Sequence, residues 1–128
     1  MAGEPILIVD DNAANLKLAR VLLSGEGYEV KTAADAAEAL VLLQNFRPRL
    51  ILMDLQMPRM DGFDLTRRLK ADPEMKGIVI LALTAYAMKG DEEKARAAGC
   101  DGYVSKPIDT RALPGVIAKL LTHAEPPA

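Results

Sequence analysis

Short apolar runs alternate with amphipathic stretches along this chain, and that alternation leaves few folds open. The first run, Ile6-Leu7-Ile8-Val9, ends at Asp10-Asp11-Asn12. Leu16, Ala19, Leu22 and Leu23 follow at helical spacing, and Gly25 and Gly27 stop them. A weaker strand spans Tyr28 to Thr32, and Asp35 then caps a helix carrying Ala36, Ala39, Leu40 and Leu43 on one face. The third run, Leu50-Ile51-Leu52-Met53, ends at Asp54. A loop with Pro58 and Gly62 leads to a helix with Phe63, Leu65 and Leu69, broken by Pro73 and Gly77. The fourth run, Ile78 to Leu83, ends at Thr84. The helix after it runs from about Asp91 to Ala98, with acids in the first turn where the helix dipole favours them, and Gly99 stops it. The fifth run, Tyr103-Val104, ends at Ser105-Lys106-Pro107, and Leu113, Val116, Ile117, Leu120 and Leu121 pattern the last helix. Pro114 is comfortable only in a first helical turn, so this helix is expected to start near Ala112 or Leu113 rather than at Thr110.

Strands alternating with helices imply an α/β domain with a parallel sheet covered on both faces. The unbroken apolar character of the first, third and fourth runs suits strands buried on both sides. With 128 residues, 50% of them hydrophobic, the chain has the material for one domain with a real core. A net charge of −2 gives no general attraction to nucleic acid or anionic membrane. The single cysteine, Cys100, excludes a disulfide framework, and the single histidine, His123, argues against a histidine metal site or a catalytic triad. The apolar runs are strand-length, well short of the ~20 residues of a membrane span, and no signal peptide precedes the first strand, so a cytoplasmic protein is expected.

Chemistry-bearing residues gather where runs end: Asp10 and Asp11, Asp54, Thr84, and Ser105-Lys106. In an open parallel sheet, ligands bind beyond the carboxyl ends of the strands. Three carboxylates in one crevice repel, so either some protonate or a cation joins them. An all-oxygen set suits a hard cation such as Mg²⁺. Lys106 would counter an incoming phosphoryl group, Thr84 could hydrogen-bond it, and a carboxylate can be the nucleophile that accepts it. These are the ingredients of an aspartyl-phosphate site. Taken singly, each has a plainer reading: Asp10 and Asp11 as helix caps, Asp54 as a loop-start acid, Thr84 as a strand-end hydroxyl, Lys106 as a solvated lysine. Together those readings leave the recurrence at strand ends without a reason.

Ile8-Val9-Asp10-Asp11-Asn12, Leu52-Met53-Asp54-Leu55-Gln56-Met57-Pro58, Asp61-Gly62, Leu83-Thr84-Ala85 and Ser105-Lys106-Pro107 stand in the order of a known family. The chain resembles the receiver (CheY-like) domain of two-component response regulators over about residues 6 to 121. The segment from Thr84 to Glu93 is most similar to hybrid-kinase receivers and to single-domain (DivK-like) regulators. The resemblance implies a flavodoxin-like, doubly wound (βα)5 fold: a five-stranded parallel sheet with helices on both faces. It implies Asp54 as phosphoacceptor, supplied by a sensor histidine kinase or a histidine phosphotransfer protein. Asp11 directly, Asp10 through water, Asp54, and the backbone carbonyl of Gln56 would hold Mg²⁺, with Mn²⁺ as a substitute. Lys106 would contact Asp54 and then the phosphoryl group. Thr84 and Tyr103 would be the switch pair, and Ala85 would leave room for the phosphoryl. Gln56, Ala85 and Tyr86 would tune the reaction, and Lys106-Pro107 would be a cis peptide.

The expectation is one receiver domain over 1–128, with core from about 6 to 121 and a frayed tail over 122–128. It is expected to be a monomer acting through a downstream protein target, with no nucleic acid and no membrane. It would be a signalling phosphoacceptor rather than an enzyme, although phosphotransfer and loss of its own phosphate would be self-catalysed. With the chain ending soon after its last helix, no output domain is expected, and output is expected to be a protein–protein contact. Three rivals fit less well. An aspartyl-nucleophile phosphohydrolase would carry a second acid after the nucleophile, where Leu55-Gln56-Met57 stands. A phosphate-independent pseudo-receiver would have lost an acid, Thr or Lys. A nucleotide-binding flavodoxin-like module would need a glycine-rich loop where Asp10-Asp11-Asn12-Ala13 stands. The methionines read as packing, Cys100 as a half-buried apolar residue, and Arg67-Arg68-Leu69-Lys70 as a solvated basic face.

Overall fold

A computed structural model of the chain describes residues 3–55, 62–84 and 91–123. Strands and helices alternate strictly: β1 (Pro5–Val9), α1 (Ala13–Gly25), β2 (Glu29–Ala33), α2 (Ala36–Leu42), β3 (Leu50–Asp54), α3 (Gly62–Ala71), β4 (Val79–Thr84), α4 (Asp91–Ala98), β5 (Gly102–Ser105) and α5 (Leu113–His123). The five strands form one parallel sheet in the order β2-β1-β3-β4-β5. This is the flavodoxin-like, doubly wound fold. Register runs straight across the middle of the sheet: Ile8 lies beside Leu52, Leu52 beside Leu81, and Leu81 beside Gly102.

The strand sequences follow from position in that order. β1, β3 and β4 are interior and covered on both faces, so nearly every residue in them is buried and apolar. β2 is an edge strand and reads as an alternation of exposed and covered residues. Successive side chains on a strand point to opposite faces, which divides the core in two. Leu7, Val9, Ile51, Met53, Ile80 and Ala82 pack with Ala36, Ala39 and Leu43, with Leu65 and Leu69 of α3, and with Ala95 of α4. Ile6, Ile8, Leu50, Leu52, Leu81 and Leu83 pack with Ala19 and Leu23 of α1 and with Leu113, Ile117 and Leu121 of α5. Each fully buried aliphatic side chain contributes roughly 1.5–3 kcal/mol over an exposed one.

Capping refines the helix starts. Neither Asp10 nor Asp11 caps α1. Asn12 does, its side chain accepting a hydrogen bond from the Asn15 N–H at 3.0 Å. Asp35 caps α2 through the Glu38 N–H at 2.8 Å. α1 ends over Gly27 and α4 over Gly99, both at positive φ, 96° and 110°. α5 starts at Leu113, so Pro114 sits in the first turn where its missing N–H is not needed. Asp109 precedes it, its carboxylate accepting from the Arg111 and Ala112 N–H groups. α5 continues past Leu121 through His123, with Thr122 Oγ1 donating to the Ala118 carbonyl at 2.7 Å.

Lys70 departs from the solvated face expected of its basic cluster. Its ammonium donates to the carbonyls of Lys76 (3.1 Å) and Ile78 (2.8 Å) and to Asp101 Oδ2 (2.9 Å). Asp101 Oδ2 also accepts from the Ile80 N–H at 2.9 Å. One side chain thus ties the end of α3 to the start of β4 and to the turn before β5, at the end of the sheet away from the carboxyl ends of the strands. Arg67 stays outside and pairs with Asp64 at 2.7 Å.

Candidate functional site

The strand order brings the polar run ends together. α1 covers one face of the sheet and α3 the other, so the chain leaves β1 and β3 in opposite directions and opens a crevice beyond their carboxyl ends. Asp10 and Asp11 directly follow β1, Asp54 is the last residue of β3, Thr84 ends β4, and Lys106 directly follows β5.

Oxygens of Asp10, Asp11 and Asp54 all lie within 4.8 Å of one another. Asp54 has no exposed surface and Asp10 is 1% exposed, whereas Asp11 faces solvent. Lys106 Nζ reaches in from the other side, 3.3 Å from Asp54 Oδ2 and 3.8 Å from Asp10 Oδ2. Asp10 Oδ1 accepts from the Asn12 N–H at 2.8 Å, which fixes that carboxylate as the chain turns into α1. Asp10 Oδ2 is buried and accepts no hydrogen bond from the described residues.

Electrostatics then dictate what the cluster can bind. Three carboxylates face one ammonium, and a buried excess of negative charge is costly. A divalent cation would balance it and satisfy the orphaned oxygen of Asp10. The donors are all hard oxygens with no thiolate or imidazole, which matches Mg²⁺ in charge and ligand type. The residues present therefore fit a magnesium ion.

The other side of the crevice is built from β4 and β5. Thr84 is fully buried, and its carbonyl accepts the Lys106 N–H at 2.7 Å. That bond continues the β4–β5 pairing by one residue, and the Lys106-Pro107 peptide that follows is cis. Tyr103, half-buried, lies beside Ala82 and packs against the core on the α2–α4 face. Thus the structure brings Asp10, Asp11, Asp54, Thr84 and Lys106 to one edge, with Tyr103 on the adjoining edge strand. Gln56, Ala85 and Tyr86 lie outside the described residues. Residue spacing did not mark Thr66, a fully buried hydroxyl under this site. Its only sequence signal is a polar residue on the apolar stripe of α3 between Leu65 and Leu69.

Comparison with known proteins gives one consistent result. The response regulator receiver domain family matches residues 6–118. The polar-differentiation response regulator DivK of Brucella anthropi is 48% identical over 103 residues, 80% of this chain and 84% of DivK. Among solved structures, the chemotaxis protein CheY4 of Vibrio cholerae superposes with a TM-score of 0.88 at 31% identity, covering 93% of this chain and 99% of CheY4. The receiver domain of a sensor histidine kinase from Pseudomonas aeruginosa gives 0.85 at 34% identity over 94% of this chain and 99% of that domain. That structure holds a magnesium ion in its active-site cleft.

Proposed function

This chain belongs to the response regulator receiver domain family, and from that premise we propose that Asp54 is its phosphoacceptor. The observation carrying the assignment is the setting of Asp54: fully buried, within 4.8 Å of two further carboxylates, and 3.3 Å from the Lys106 ammonium. In this reading a carboxylate oxygen of Asp54 attacks the phosphorus of a phosphohistidine on a kinase or phosphotransfer protein. The phosphorus–nitrogen bond breaks, and its electron pair stays on the imidazole nitrogen, which takes a proton from solvent. Asp10, Asp11, Asp54 and the Gln56 carbonyl would hold Mg²⁺, which offsets charge on the phosphoryl oxygens. Mn²⁺ would suit the same oxygens. Lys106 balances the resting carboxylates and then contacts the phosphoryl group. By the family pattern, the small Ala85 would suit phosphoryl access, and Gln56 and Tyr86 would set how fast water removes the phosphate.

Phosphorylation adds about −1.5 to −2 charges at the sheet edge. Thr84 bonds the phosphoryl group and Tyr103 turns inward behind it. The phosphoryl group binds this arrangement better than the resting one and shifts the population toward it. The output is a changed contact with a protein partner. We place this activity in the cytoplasm, in a single monomeric receiver unit over about residues 6–121. Among the described residues no helix is long and apolar enough to cross a membrane.

Intact-mass spectrometry after incubation with acetyl phosphate tests the proposal, with and without Mg²⁺ and beside Asp54→Asn. One phosphoryl adduct that needs Mg²⁺ and disappears in the variant supports it. If the folded protein accepts phosphate neither from acetyl phosphate nor from a phosphohistidine donor, the proposal fails.

A further inference from the structure

We propose that the first turn of α3 is a positioning device for the Asp54 carboxylate, with Gly62 and Thr66 as positioning residues. The inference rests on Asp54 being the phosphoacceptor. The backbone of Leu55, next after Asp54, is pinned from two sides. The Leu55 N–H donates to the Leu83 carbonyl at 3.0 Å, and the Leu55 carbonyl accepts the Gly62 N–H at 3.3 Å. Gly62 comes so close that a β-carbon there would lie 2.5 Å from the Asp54 carbonyl oxygen and 2.8 Å from Leu55 Cα. Both neighbours are backbone atoms of the strand end that carries the reactive side chain. Any side chain at position 62 would therefore force α3 and the Asp54–Leu55 peptide apart by about half an ångström or more, the tolerance within which a reactive constellation must be held.

Thr66 holds the other end of this contact. Its hydroxyl is fully buried and donates to the Gly62 carbonyl at 2.7 Å. Thr66 Oγ1 in turn accepts the Cys100 thiol, with the sulfur at 3.9 Å. A hydroxyl that bonds back to the carbonyl four residues earlier bends a helix slightly. Here that bond fixes the tilt of the first turn against Asp54. The carboxylate has no side-chain freedom beyond two torsions, so its aim toward Lys106 and the metal oxygens follows its backbone.

The test measures adduct formation from acetyl phosphate, with rate and Mg²⁺ dependence separated, for the full chain and its variants. Gly62→Ala is expected to slow the reaction about 100-fold at saturating Mg²⁺, the scale of an ångström-sized misplacement. Gly25→Ala, where an added β-carbon meets nothing within 4 Å, keeps the parent rate. Thr66→Val removes the hydroxyl at equal size and is expected to slow the reaction about tenfold, a smaller misplacement. Thr66→Ser restores the rate, which a purely space-filling role would not do. Should Gly62→Ala not fold, the Thr66 pair decides alone. Folded Gly62→Ala and Thr66→Val variants reacting within about twofold of the parent overturn the inference, as does a Thr66→Ser variant no faster than Thr66→Val. The parent and Asp54→Asn run alongside. A parent that takes no phosphate sinks the assignment of Asp54 itself, and a reacting parent with equally fast Gly62→Ala and Thr66→Val variants sinks only the positioning role.

Discussion

Lys106 Nζ stands 3.3 Å from Oδ2 of Asp54, a carboxylate with no exposed surface, and the lysine side chain is itself largely covered. The same ammonium lies 3.8 Å from Asp10. One cation therefore offsets the mutual repulsion of two buried anions, and it is supplied by the residue next after the edge strand.

Removing that cation exposes the repulsion it masks. Lys106→Met is expected to cost about 3 kcal/mol of stability in EDTA, the scale of a broken buried pair. Mg²⁺ should return much of the loss, because it supplies positive charge to the same oxygens. Urea unfolding in EDTA and in Mg²⁺ measures both quantities. Equal losses in the two conditions would mean that Lys106 acts by packing rather than charge.

Magnesium should stabilise the folded parent, since the unfolded chain does not hold three carboxylates together. At a concentration a hundred times Kd, the gain is about 2.7 kcal/mol. Asp11 faces solvent, so Asp11→Ala should leave stability in EDTA within about 0.5 kcal/mol of the parent. It should nevertheless abolish most of the Mg²⁺ gain. Thermal melts across a Mg²⁺ series provide the check.

Lys70→Met tests the tie at the opposite end of the sheet. The variant leaves the Ile78 carbonyl and Asp101 short of a donor, and a loss of about 1–3 kcal/mol is expected. Mg²⁺ affinity should not change, because the tie and the acidic crevice lie at opposite strand ends. A shift in urea midpoint with unaltered Mg²⁺ titration is the expected pair of results.

Burial pushes the Cys100 thiol above its ordinary pKa; the Thr66 hydroxyl lowers it, the Asp101 carboxylate raises it, and Lys70 lowers it. A thiol with a raised folded-state pKa binds its proton more tightly in the folded chain. Its contribution to stability is complete below the unfolded pKa and is lost as pH rises through the folded one. Iodoacetamide labelling of the native protein should therefore follow a pH profile displaced to higher pH than that of the urea-unfolded chain. Coincident profiles would contradict the burial.

The fold was legible because its interior strands are hydrophobic throughout and its helices keep a periodic face. Ile6–Val9, Leu50–Met53 and Ile78–Leu83 mark β1, β3 and β4 to within a residue or so. β5 was harder. As an edge strand it shows only Tyr103-Val104 as an apolar pair, and Gly102 and Ser105 join through backbone pairing that leaves no side-chain signature. The acidic cluster was legible as residue types at strand ends, but its closeness depends on β1 lying beside β3, which spacing alone does not give. The cap on α1 went to Asn12 because Asp10 is buried at the crevice with its carboxylate on the Asn12 N–H. The Lys70–Asp101 tie spans 31 positions, and the Gly62 contact is made by the absence of a side chain. Neither leaves a local pattern to read.

The sheet also acts as a partition. Residues on its two sides form separate clusters, α2, α3 and α4 with one set of strand positions and α1 and α5 with the other. Substitutions in helices on opposite sides, such as Leu69 of α3 and Leu121 of α5, fall in different clusters, so their energetic effects should combine by simple addition. One side can be rewritten over many generations while the other keeps its packing. The crevice at the strand ends belongs to neither side, and it can outlast the replacement of both.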